Sequence, residues 1–225
     1  MRNKTQSVWI FGVFFLASAF TWNNQEQVGH VTDRFGQPLE GAYVVYDFYA
    51  TKSGLYFEGN GNYPLPGGIV KTDRLGEFRT LRTKHKTPFF DGRPKINYRF
   101  IYSPKMHNAV VSPGFGKPVD AISKFKSHEV HYKSRTAVLY DLSADPVLRF
   151  AIISDFKLVI DSAILKRSSH DGKAMELTAM EKELIAQYRM EATTFRATYD
   201  YLESSGTWRY QLHSLDRSLQ ELPKF

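Results

Sequence analysis

The chain has 225 residues, a formal charge of +7 and no cysteine. That length can bury a core without disulfide staples, and the missing cysteines exclude thiolate zinc sites and lipid attachment at a cysteine. The 30 Lys and Arg against 23 Asp and Glu are spread along the chain, which favours anionic surfaces but supplies no basic block of the kind that reads nucleic acid.

Arg2 and Lys4 precede an apolar run over 8–16 and then Ala17-Ser-Ala19, the order of charge, apolar core and small residues found in secretory leaders. The run falls short of the roughly 20 apolar residues needed to cross a bilayer. The expectation is a signal peptide over 1–19, cleaved near Ala19, and a mature chain with no transmembrane span, periplasmic or secreted from a bacterium. An uncleaved anchor is the alternative, since Phe20 and Trp22 extend the apolar region.

From residue 27 to about 111, short alternating segments broken by Gly, Pro, Asn and Asp read as strands. Within 28–44, Asp33 is placed to bond its own following backbone, Gly36 to take positive φ, and Pro38 to fix the chain before Gly41-Ala-Tyr-Val-Val45. Val70-Lys-Thr-Asp-Arg-Leu-Gly-Glu-Phe78 repeats the device with Asp73 and Gly76. Val44, Tyr46 and Phe48 on one face and Tyr43, Val45 and Tyr49 on the other predict a central strand covered on both sides. Tyr98, Phe100 and Tyr102 alternate with Asn97, Arg99 and Ser103, which predicts one face in and one out. The stretches 53–68 and 84–95 read as insertions in loop form. They carry Tyr56, Phe57, Tyr63, Phe89 and Phe90, with Arg93 close by, as candidate ligand-binding residues, because aromatic faces with basic neighbours stack on sugar rings or anchor a protein. Their alternative role is to cover the sheet or dock the C-terminal part.

After Gly116 the pattern changes. Residues 116–142 form a connecting segment with room for extra strands, and 143–225 reads as about three helices. Ser143-Ala-Asp-Pro146 offers a cap and a first-turn proline, followed by the stripe Leu148, Ile152, Phe156, Val159 and Ala163. Thr178-Ala-Met-Glu181 is a capping box ahead of Met180, Leu184, Tyr188, Phe195, Tyr199 and Leu202, with Gly206 as the expected stop. Trp208, Leu212, Leu215, Leu219 and Leu222 make the third stripe before Pro223. Phe156, Tyr188, Phe195 and Trp208 are the residues expected to pack these helices on the strands. Strands first and helices second predict an α+β chain.

The two turns, with Gly29, Asp33, Gly36, Pro38, Gly41, Asp73, Gly76 and Phe78, resemble the carboxypeptidase regulatory-like domain over about 27–115, with Ser112-Pro-Gly-Phe115 similar to its closing Pro-Gly-Tyr. That resemblance implies a transthyretin-like antiparallel β-sandwich, in most members non-catalytic, here with a helical extension. The expected function is a non-catalytic binding or scaffolding module of the cell envelope, for a protein or glycan, with no cofactor and no nucleic acid.

The rival is a small exported enzyme. His30-Val-Thr-Asp33 with Gly36, Pro38 and Gly41 is similar to the opening motif of hydroxyisourate hydrolases, whose terminal Tyr-Arg-Gly-Ser is replaced by Leu222-Pro-Lys-Phe225. His128-Glu-Val-His131 invites a metal reading, but on a strand residues i and i+3 point oppositely, and no third ligand is suggested by spacing. No G-x-S-x-G elbow and no G-x-G-x-x-G turn is present.

Overall fold

The computed structural model describes residues 20–25, 27–52, 61–80, 83–88, 95–111, 130–131, 136–139, 141–165 and 176–225. Among the described residues, ten strands come first: β1 (Phe20–Gln25), β2 (Val28–Asp33), β3 (Tyr43–Thr51), β4 (Asn62–Lys71), β5 (Glu77–Arg79), β6 (Thr83–Pro88), β7 (Lys95–Ser103), β8 (Asn108–Val111), β9 (Val130–His131) and β10 (Thr136–Leu139). The helices α1 (Pro146–Val159), α2 (Ala179–Thr198) and α3 (Gly206–Glu221) follow. The chain is therefore α+β. Two compact units divide it, one from 1–27, 46–68 and 80–97, the other from 28–45, 69–79 and 98–225.

The strands pair in the orders β1-β6, β5-β2-β10-β9 and β4-β3-β7-β8. β10 lies parallel to β2, Thr136 opposite His30, while β5 lies antiparallel on the other side of β2. β3 is a central strand, as its two apolar faces predict, with Tyr43, Val44, Val45, Tyr46 and Phe48 all buried.

Three local expectations are corrected. The stretch 53–68 is not loop throughout, because 62–71 is strand β4. It lies at a sheet edge, where proline costs no ladder bond, and Pro64 and Pro66 take its exposed alternate positions. Likewise, 83–88 of the second insertion is strand β6, whose polar residues pair antiparallel with β1 from Phe20↔Pro88 to Gln25↔Thr83. Ser103 does not face outward: Ile101, Tyr102 and Ser103 are all buried at the end of β7. Ser112-Pro-Gly-Phe115 lies outside the described residues.

The helical caps form as the sequence dictates. Asp145 Oδ1 accepts from the backbone of Val147 (2.9 Å) and Leu148 (3.0 Å), and Pro146 fills the first turn. Thr178 Oγ1 accepts from Glu181 N at 3.3 Å while Glu181 Oε2 accepts from Thr178 N at 2.8 Å, closing the capping box. Gly206 is not a stop. A 3₁₀ turn (Asp200–Ser204) follows α2, Ser205 breaks the run in an extended conformation, and Gly206 opens α3.

Within the second unit the three stripes share one core with Tyr43, Val45, Phe100 and Tyr102. Of the four expected packing residues, Phe156 meets the strands, 5.0 Å from the Phe100 ring and 4.8 Å from Tyr102. Tyr188 stands edge-on to Phe156, whereas Phe195 and Trp208 close a knot among the helices with Phe150. Phe156, Tyr188 and Phe195, fully buried, each contribute on the order of 1.5–3 kcal/mol.

Candidate functional site

The aromatic candidates are only partly described. Tyr63 sits half-buried in β4; Tyr56, Phe57, Phe89, Phe90 and Arg93 lie outside the described residues. His30, in β2, has Nε2 3.7 Å from Glu77 Oε2, its register partner on β5, and both side chains reach solvent. This is an exposed cross-strand pair. His131 lies on the two-residue strand β9 opposite Thr136, and His128 is outside the described residues. Among the described residues no group of three or more His, Asp or Glu is placed to hold a metal ion.

The structure instead brings forward the two repeated turns. In the first, Asp33 Oδ1 accepts from Phe35 N (2.8 Å) and Gln37 N (2.9 Å), Asp33 O accepts from Gly36 N (3.0 Å), and Asp33 N donates to Gln37 O (2.9 Å). The second matches it bond for bond: Asp73 Oδ1 accepts from Leu75 N and Glu77 N (2.9 Å each), Asp73 O from Gly76 N (2.9 Å), and Asp73 N donates to Glu77 O (2.8 Å). The left-handed φ of +80° at Gly36 and +69° at Gly76 closes each loop. At Gly76 a Cβ would also stand 2.5 Å from Val31 O, so no side chain fits there.

Val31, fully buried, joins the two turns. Its N–H donates to Gly76 O at 2.8 Å, and its carbonyl accepts from Leu39 N at 2.9 Å, just past the first turn. The buried Thr72 hydroxyl adds a second stitch, donating to Leu39 O and accepting from Ala42 N. The consequence lies at the tips. Phe35 and Leu75 occupy the same place in their turns, and each is 72% exposed. An arginine precedes each: Arg34 stacks over the Phe35 ring at 4.6 Å, and Arg74 Nε lies 3.9 Å from Glu40. Two large apolar side chains are thus held in water on turns with few degrees of freedom. Their signal in the sequence was the repeated Thr-Asp-Arg-apolar-Gly, which fixes backbone but does not tell exposure.

A second cluster is buried among the helices. Glu191, on α2, has Oε2 3.0 Å from His107 Nδ1 and 3.5 Å from Arg149 Nη2, while Gln187 donates to Oε1 at 3.2 Å. Arg149, on α1, lies over the rings of Phe195 (5.8 Å) and Tyr199 (5.9 Å). Burial, with the Glu191 charge, pushes the nearby Tyr102 phenol far up, so it stays neutral. An ionised carboxylate only accepts, so the contact places a proton on His107 Nδ1. His107 itself adopts a left-handed φ of +46°. The cluster binds the turn after β7 to two helices. Its members are 84 residues apart in the case of His107 and Glu191, a separation that no local sequence pattern reports. Compared with known proteins, no family model, no curated protein and no solved structure matches the chain.

Proposed function

We propose that this chain is a non-catalytic binding module of the bacterial cell envelope, exported when residues 1–19 are removed, that grips a protein partner by the edge carrying the twin turns. The observation that carries the reading is the pair Phe35 and Leu75, each 72% exposed on a turn closed by four internal hydrogen bonds. An apolar anchor contributes on the order of 1.5–3 kcal/mol when it leaves water, and one already held in place loses little freedom on binding. The turn motifs support the same reading through their resemblance to regulatory-like domains, which are mostly non-catalytic; the leader-like order of residues 2–19 supports the address.

The test is crosslinking in the native envelope, read by mass spectrometry, for wild type and for Phe35→Ser/Leu75→Ser. The variant should lose about tenfold or more of the captured partner while its thermal unfolding is unchanged. Undiminished capture removes the turn edge as the binding surface. The intact mass of the exported protein should lack residues 1–19, and a mass that retains them, in protein pelleting with membranes, removes the leader.

A further inference from the structure

Helix α1 continues past Val159 without a break. At Ile160, still helical at φ −57° and ψ −49°, it passes into a π-helical segment, Ile160–Leu165. Such segments are rare and are found frequently at functional sites. The side chain set here is Asp161, which receives two bonds of 2.7 Å from the Lys157 ammonium one turn back. Lys157 is held unusually close for a lysine, its side chain only 15% exposed.

This ion pair forms one wall of a groove of about 250 Å³ lined by α1, the π-helical segment, Tyr188 of α2 and α3. Two of the other polar groups have committed their protons. Ser154 Oγ donates to Phe150 O and Ser218 Oγ donates to Ser214 O, each at 2.9 Å, so each keeps lone pairs, and Ser218 also meets the Tyr188 phenol at the groove wall. Lys157 spends two of its three N–H bonds on Asp161 and retains one. Phe150 and the half-exposed Leu158 supply an apolar edge. The groove therefore offers several acceptors, one charged donor, the Tyr188 hydroxyl beside Ser218 and Asp161, and one greasy side.

That inventory selects among ligands. An anion meets the Asp161 carboxylate and a lysine already neutralised; a cation meets the Lys157 ammonium; an apolar molecule strips water from both without replacing it. A pyranose ring carries hydroxyl donors around its rim and an apolar C–H face, and its size suits a groove of this volume. From the groove's donors, acceptors and apolar edge, we infer that it is a subsite for one neutral sugar unit of a glycan. It is separate from the turn edge and does not depend on it.

The experiment titrates isotope-labelled protein with methyl β-glucopyranoside, methyl β-N-acetylglucosaminide and, as the competing chemistry, inorganic phosphate. At least one glycoside should move the amide signals of Lys157, Leu158, Asp161 and Ser218 with a dissociation constant on the order of millimolar. Asp161→Asn should weaken binding about tenfold and Ser218→Ala about threefold. Phe35→Ser/Leu75→Ser should bind as wild type does, which keeps the fate of this subsite apart from that of the partner edge. Should Asp161→Asn fail to fold, Ser218→Ala decides alone. Silence of the groove signals with both glycosides at about 50 mM, glycoside binding that folded groove variants leave intact, or larger shifts with phosphate would each overturn the subsite.

Discussion

Asp155 shows how far a single half-buried group departs from its ordinary chemistry. Burial pushes its carboxyl up to about 6 from 3.8. The folded chain then holds that proton more tightly than the unfolded chain, so the group's contribution falls as pH rises from about 4 to 6 and stays unfavourable above. Asp155→Asn should accordingly raise the unfolding temperature by roughly 3–6 °C at pH 8 and hardly change it at pH 4. Equal gains at both pH values would point to packing instead of charge. At this scale the sequence is legible where a residue's own chemistry suffices. Asp33 and Gly36, or Asp73 and Gly76, close a turn with their neighbours alone, whereas the partial burial of Asp155 and the exposure of Phe35 depend on what the rest of the chain brings near them.

Among the elements, the helices were the most legible because cap and stripe lie within a few residues of each other. Thr178 and Glu181 form their box, and Leu184, Tyr188 and Phe195 are buried as their spacing predicts. Leu184 has no exposed surface, so Leu184→Asp puts an unpaired charge into that seam and should cost several kcal/mol. A thermal unfolding midpoint equal to wild type would remove the packed-stripe account of α2. β4 was illegible for a physical reason. Its prolines and glycines are the residues of loops, and they are tolerated in a strand only because β4 lies at an edge, a property of its neighbours. The π-helical segment was equally hidden, since Ile160 to Leu165 continue an apolar helical pattern whose change of winding has no residue signature. The candidate sugar groove was hidden with it, being assembled from α1, the π-helical segment, α2 and α3.

At the scale of the whole molecule, the Arg149–Glu191 pair ties α1 to α2 and, through His107, to the turn after β7. Both charged side chains are at most 7% exposed. Glu191→Ala strands the guanidinium and should cost about 3–5 kcal/mol in denaturant unfolding, while Arg149→Met/Glu191→Leu, which removes both charges, should recover most of that loss. A double variant no more stable than the single would show that the pair holds the elements in register beyond its charges. β10 carries a different consequence. It is the parallel neighbour of β2, yet its residues arrive about a hundred positions later in the chain. As the polypeptide emerges, β2 meets β5 early and then waits with its other edge bare until β10 has been made. Topology of this kind slows folding and prolongs the time in which an open edge can recruit a stranger. A truncation before Thr136 should therefore aggregate more than the full chain on refolding, which light scattering reads, and equal scattering would remove the bare-edge account.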